Sequence, residues 1–164
     1  MYKYRLLEIP KHVLDEVVVS STKIRKAVEE SNVETANRLL GYPFFFEGLV
    51  VKGDQLGRKL GYPTANLEYT DAEKIQLGHG VYAVYASVLG QRRKAMMSIG
   101  NRPTLTNSNV RVEVNLFDWE DDIYGCLLEV EVHYYLRGQE KYNSLDELVA
   151  QLHRDKERSL DLLA

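Results

Sequence analysis

Cysteine is nearly absent from this 164-residue chain: Cys126 stands alone. An intramolecular disulfide is therefore impossible, and a cysteine-based zinc cluster is disfavoured. No apolar run approaches the roughly 20 residues that a membrane-spanning helix needs. The first ten residues, Met-Tyr-Lys-Tyr-Arg-Leu-Leu-Glu-Ile-Pro, contain no apolar core followed by a small-residue cleavage site, so they do not read as a secretory signal. A cytoplasmic protein is the expectation. There is no excess of charge of either sign: 21 Lys+Arg against 24 Asp+Glu give a net charge of −3, and no global basic field exists to hold nucleic acid. Internal repeats and low-complexity tracts are lacking too. What is present is ordinary for a folded domain: 45% hydrophobic and 27% charged residues. At this length roughly 70% of the unfolded surface can be buried, enough for a core without staples.

Residues 4–19, ending in Val17-Val18-Val19, read as a strand entering a turn. Ser20-Ser21-Thr22 then offers helix-capping hydroxyls ahead of Ile24, Ala27 and Val28. A second helix is expected from Ser31, with Glu34 completing a capping box and Gly41 and Pro43 stopping it. After Pro43 the pattern turns to β. Phe44–Val51 is one candidate strand, and Val81–Leu89 and Arg92–Ile99 flank Gly90-Gln91 as a hairpin. Along 110–117, Val110, Val112, Val114 and Leu116 face one way, and Arg111, Glu113, Asn115 and Phe117 the other. Leu128, Val130, Val132 and Tyr134 repeat that alternation. Strands following one another without intervening helices favour an antiparallel sandwich or closed barrel. Ser144 and Glu147 form a further capping box for a closing helix, whose stripe runs through Leu145, Leu148, Val149, Leu152, Leu160 and Leu163. The Phe44-Phe45-Phe46 run with Tyr42 reads as core, His79 as a loop residue, His133 as an exposed strand position, Asp121-Asp122 with Gly125 as a turn, and Cys126 as a small buried hydrophobe.

The densest cluster of informative residues is Gly53-Asp54-Gln55-Leu56-Gly57-Arg58-Lys59-Leu60-Gly61-Tyr62-Pro63-Thr64-Ala65-Asn66. Glycines allow close approach of backbone N–H groups to an anion, and Arg58 and Lys59 can neutralise phosphate charge. It is neither a Walker A loop nor a dinucleotide fingerprint, and on its own terms it equally describes a mobile hairpin connection. Thr64 and Asn66, two apart on an extended segment, share a face. Their hydroxyl and amide oxygen suit a hard cation such as Mg²⁺, or else a Pro-initiated turn in which they bond their own backbone.

The segment Gly53–Asn66 closely resembles the nucleotide-binding segment of riboflavin kinases. The resemblance continues in order through Gly80-Val81-Tyr82-Ala83, Ser98-Ile99-Gly100-Asn101-Arg102-Pro103-Thr104, Val112-Glu113-Val114, Asp122-Ile123-Tyr124-Gly125, Tyr135-Leu136-Arg137 and Ser144-Leu145. It implies a six-stranded antiparallel Greek-key β-barrel with a C-terminal α-helix. It also implies transfer of the ATP γ-phosphoryl group to the 5′-hydroxyl of riboflavin, giving FMN and ADP with Mg²⁺, or Zn²⁺ in some members. It assigns Gly53, Gly57, Arg58, Thr64 and Asn66 to ATP, Thr64 and Asn66 also to the metal, Glu113 to the ribityl hydroxyl, and Arg137 with Tyr142 to the flavin. Read from periodicity alone, Glu113 is a residue of a solvated face, and Tyr142 is as well explained by packing.

Val19-Ser20-Ser21-Thr22-Lys23-Ile24-Arg25 is similar to the motif closing the FMN adenylyltransferase module of bacterial bifunctional FAD synthetases. No His-x-Gly-His signature accompanies it. The resemblance therefore implies a kinase domain at 42–164 and, at 1–41, a remnant of the adenylyltransferase module with linker helices, the rest of that module being absent. The competing class is a non-catalytic β-barrel that binds flavin or single-stranded nucleic acid. The acidic balance and the lack of interleaved aromatic and basic residues argue against nucleic acid.

Overall fold

The computed structural model describes residues 10–52, 61–70, 76–101 and 110–164, with only the backbone described for 13–19 and Asn101. The candidate residues Gly53, Gly57 and Arg58, and the motif residues Arg102-Pro103-Thr104, lie outside the described residues. Two helices, α1 (Lys11–Glu29) and α2 (Val33–Leu40), precede six strands: β1 (Phe44–Val51), β2 (Ala65–Tyr69), β3 (Gly80–Val88), β4 (Gln91–Asn101), β5 (Val110–Leu116) and β6 (Leu127–Arg137). A final helix, α3, spans Leu145–Leu162. The strands close into an antiparallel barrel in the order β1-β2-β5-β4-β3-β6, the Greek-key barrel that the resemblance implied. Among the described residues, no helix is long and apolar enough to cross a membrane.

Period-two patterning builds the barrel wall. Val112 and Val114 point into the main core beside Val84, Met97, Val130 and Val132, which turns Arg111 and Glu113 outward. The β3–β4 hairpin closes through Leu89 and Gly90, both at positive φ (50° and 77°). This is the handed two-residue turn that matches strand twist, one residue earlier than the sequence suggested. β3 is buried on both faces: Tyr82, Val84, Ala86 and Val88 line the main core, while Val81 and Ala83 pack with Leu136 and Leu163 in an outer layer. β6 departs from simple alternation. Its register against β3 shifts between Val81 and Tyr82 and between Ala83 and Val84. The extra β6 residues at these bulges move Tyr134 to the outer layer and bring Tyr135 against Tyr82, with ring centroids 5.5 Å apart. The expected shared face of Tyr134 with Val132 is thereby corrected.

The N-terminal expectations also need correction. Lys11–Glu29 is one continuous helix, not a strand followed by a capped helix. Leu14, Val17, Val18, Ile24 and Val28 keep a helical period that the β-branched run obscured. Ser20, Ser21 and Thr22 sit inside α1 as exposed residues, so they cap nothing. Ser31 does not open α2 either; Asn32 precedes its first turn without a side-chain cap. Ser31 adopts φ 66° and its hydroxyl donates to the His79 carbonyl, while the Glu34 carboxylate accepts the Tyr135 N–H at 3.4 Å. The two side chains read as a capping box thus tie the helices to the barrel. Ala27, Val28, Val33 and Ala36 enter the same core as the strands. Gly41, at φ 81°, ends α2 as anticipated.

Asn37 is the polar counterpart of that packing. Its Nδ2 donates to the Val132 carbonyl at 2.8 Å and its Oδ1 accepts the Phe44 N–H at 2.7 Å, so one side chain joins α2 to β6 and β1. Asn37→Ala removes both bonds and is expected to destabilise the fold by about 2 kcal/mol or more, measured by urea unfolding; a loss below about 0.5 kcal/mol rejects the bridge. Strand alternation also divides the aromatic run: Phe44 and Phe46 are core, but Phe45 and Tyr42 are exposed. Helix α3 is capped as read, with the Ser144 hydroxyl accepting from the Glu147 N–H. Its buried positions, however, are Asp155 and Ser159, while Leu145 and Leu160 lie exposed.

Candidate functional site

Two cavities meet at the start of β2. The first, about 530 Å³, lies at a barrel mouth between β1, β2, β5 and the 117–126 connection; Lys52, Thr64, Asn66, Trp119 and Asp121 are among its walls. The second, about 360 Å³, lies between the outer face of β4 and β5 and helix α3, with Thr64, Glu113, Arg137, Tyr142 and Leu152 lining it. Thr64 lines both. The antiparallel pairing of β2 with β5 sets Asn66 directly opposite Glu113, and β4 sets Ser98 on the other side of Glu113.

Of the residues singled out in the sequence, the second cavity gathers Thr64, Glu113, Arg137 and Tyr142, and the first gathers Thr64 and Asn66. Glu113 is not on a freely solvated face: its side chain is 27% exposed, and Arg111 Nε lies 3.1 Å from its Oε1. The same Nε donates to Asn66 Oδ1 at 3.2 Å. Three residues read separately therefore form one cluster. Asn115, buried on the same strand, donates from Nδ2 to the Pro63 carbonyl at 2.6 Å and so braces the backbone ahead of Thr64. Tyr62 packs with Met96, Phe117 and Leu152 and hydrogen-bonds His153, which fastens the entry of this segment to α3. Burial pushes the Tyr62 hydroxyl pKa above its ordinary value, with Glu157 and Asp155 adding to the shift.

Arg137 sits at the end of β6 under α3. Burial alone would lower its pKa, but hydrogen bonds and charge from Asp155 outweigh that and raise it. Tyr142 lies with its ring centroid 5.9 Å from the guanidinium carbon, and its pKa is raised chiefly by burial. Arg111, Asn115, Tyr62 and Asp155 were not singled out in the sequence as site residues. Arg111 and Asn115 carried a signal, since they share the strand face of Glu113; Asp155 carried none that set it apart from the other acids of its helix.

The described residues contain no cluster of three or more His, Cys, Asp or Glu that could hold a metal unaided. The Thr64 hydroxyl and Asn66 Oδ1 nevertheless fit Mg²⁺, which accepts a few oxygen ligands and takes the others from water and phosphate. The Asn66 oxygen keeps a second lone pair beyond the Arg111 bond. Glu120, Asp121 and Asp122 on the facing wall of the first cavity outnumber Lys52 and favour a cation there.

The closed antiparallel barrel thus carries two adjoining clefts, one offering neutral oxygen ligands and the other a carboxylate beside an arginine. The riboflavin kinase family model, Flavokinase, matches residues 40–163, and the chain belongs to this family. It is 37% identical over 145 residues to the bifunctional riboflavin kinase/FMN adenylyltransferase of Bacillus subtilis, covering 87% of this chain and 46% of that protein. It is 40% identical over 141 residues to the Escherichia coli K12 protein of the same name, covering 85% of this chain and 44% of that one. The chain thus spans about half the length of the curated relatives it matches. Among solved structures, a Streptococcus pneumoniae protein described as a macrolide-efflux protein superposes with a TM-score of 0.81 at 41% identity, over 85% of this chain and 45% of that one. The riboflavin kinase of Trypanosoma brucei superposes with a TM-score of 0.50 at 28% identity, over 74% and 80% of the two chains.

Proposed function

We propose that this protein transfers the γ-phosphoryl group of ATP to the 5′-hydroxyl of riboflavin, giving FMN and ADP. The observation that carries the proposal is the position of Thr64 in the wall shared by two cavities, with Glu113 at the edge of the second. ATP occupies the first cavity and riboflavin the second, so the hydroxyl and the γ-phosphorus meet beside Thr64. The ribityl oxygen forms the new bond to phosphorus, the bond from phosphorus to the β-phosphate oxygen breaks, and Glu113 orients the hydroxyl and accepts its proton. Arg111 holds the Glu113 carboxylate and the Asn66 amide in fixed orientation, so neither must reorganise during transfer. Thr64 and Asn66 would hold Mg²⁺, which when bound supplies charge neutralisation on the triphosphate. Arg137 and Tyr142 contact the flavin, and Gly53, Gly57 and Arg58 contact the nucleotide.

The kinase domain spans 42–164, with α1 and α2 as an N-terminal extension seated on its core. The N-terminal module that the relatives' printed name pairs with the kinase would carry FMN on to FAD.

Incubation with riboflavin, ATP and Mg²⁺ is expected to yield FMN by chromatography. Incubation of FMN with ATP is expected to yield no FAD. Riboflavin binding without any FMN would instead establish the non-catalytic module.

A further inference from the structure

One buried acid lies outside the transfer chemistry just described. Asp155, midway along α3, is 3% exposed. Arg137 Nε donates to both of its carboxylate oxygens, at 3.0 and 3.1 Å, and Arg137 NH2 donates to Oδ2 at 2.7 Å. Gln151, one turn earlier, donates to Oδ1 at 2.9 Å. The third guanidinium nitrogen, NH1, donates to the Gly138 carbonyl at 3.1 Å. All three nitrogens of Arg137 are thus fixed in one plane, and both Arg137 and Asp155 line the second cavity.

Helix packing alone does not require this arrangement. Desolvating two charges offsets much of their attraction, and an apolar pair of similar volume commonly serves stability as well. What the pair supplies is orientation. A guanidinium has five N–H bonds; Asp155 and Gly138 engage three, and the other two remain for a ligand in the cavity. Asp155 also balances the Arg137 charge. With Arg111 and Arg137 set against Glu113, Glu140 and Asp155, the lining carries no positive excess, which suits an uncharged ring system.

We propose that Asp155 is a positioning residue for the flavin: it holds the Arg137 guanidinium in the one orientation that presents its remaining N–H bonds to the ring system in the second cavity. This rests on the riboflavin kinase reading above.

The test is a double-mutant cycle on riboflavin affinity, read from quenching of flavin fluorescence, with melting temperature and the KM for ATP measured alongside. Asp155→Asn keeps the shape and removes the charge. It is expected to weaken riboflavin binding about 10-fold or more, the effect of losing a hydrogen bond to a charged group, and to leave the KM for ATP within about twofold, since Asp155 does not line the first cavity. In an Arg137→Lys background, where no planar fork remains to be oriented, the same substitution is expected to change affinity by less than about twofold. An equal loss in both backgrounds means that Asp155 acts through packing and overturns the proposal, as does near-wild-type affinity in Asp155→Asn. Where Asp155→Asn does not fold, Arg137→Lys alone decides: a loss of about 10-fold supports the oriented fork, and an unchanged affinity overturns it. Failure of the wild-type protein to bind riboflavin or form FMN is a different result, and rejects the parent reading instead.

Discussion

Glu113→Gln is expected to lower kcat by at least ~10²-fold, the lower range for a lost general base, while riboflavin and ATP affinities change little. Glutamine keeps the length of the side chain and one acceptor oxygen, but it cannot take the hydroxyl proton. The substitution leaves the barrel intact, since Glu113 points away from the core that Val112 and Val114 fill. It also retains an oxygen for Arg111 Nε, 3.1 Å from the native carboxylate, so the bracket between Asn66 and Glu113 is weakened rather than abolished. In a loose phosphoryl-transfer transition state the nucleophile's proton leaves late, and the loss falls on turnover more than on binding. Steady-state kinetics with a riboflavin titration on this variant decide the matter. Unchanged kcat in a folded variant would return Glu113 to the status of a strand-face residue.

The next largest effect is expected at the junction of the cavities. Thr64→Ala or Asn66→Ala should reduce turnover by about 10²-fold or more, the scale for removing one preorganised charge-stabilising group, and should raise the Mg²⁺ concentration needed for half-maximal rate. Asn66→Ala removes the proposed cation ligand and a bond already present, since the same amide oxygen accepts from Arg111. Thr64→Ser keeps the hydroxyl and is expected to stay close to wild type. Neither position supports the core as Leu67 does, so melting temperatures should move little. A wild-type rate with unaltered Mg²⁺ dependence in both alanine variants would remove the cation from this pair of ligands.

Legibility of the chain followed the locality of the physics. Alternation along β5 and the positive-φ demand at Gly90 are local, and both strands of the hairpin could be read. The β6 bulges could not, because they arise from fitting that strand to β3 across the barrel. Val17-Val18-Val19 favoured a strand by propensity, yet the longer helical period prevailed in α1. Thr64, Asn66, Glu113, Arg137 and Tyr142 were visible through motif order, and the structure adds that they line two cavities joined at Thr64. Asp155 escaped notice because its significance depends on a residue 18 positions earlier, at the end of a strand that the sequence alone does not place beneath it.

The seam of the barrel has a kinetic consequence. Phe44 at the start of β1 pairs with Val132 in β6, so closure joins the first and last strands of the barrel. Contacts so distant in sequence demand a large loop-closure entropy before they return any stabilisation. The β3–β4–β5 meander, with its short-range pairings, is the natural nucleus, and docking of β1 onto β6 the late step. During synthesis the β6-facing edge of β1, with its open backbone N–H and C=O groups, must wait until β6 has left the ribosome. Refolding of this small domain should accordingly be slow, in the millisecond-to-second range typical of barrels rich in non-local pairing.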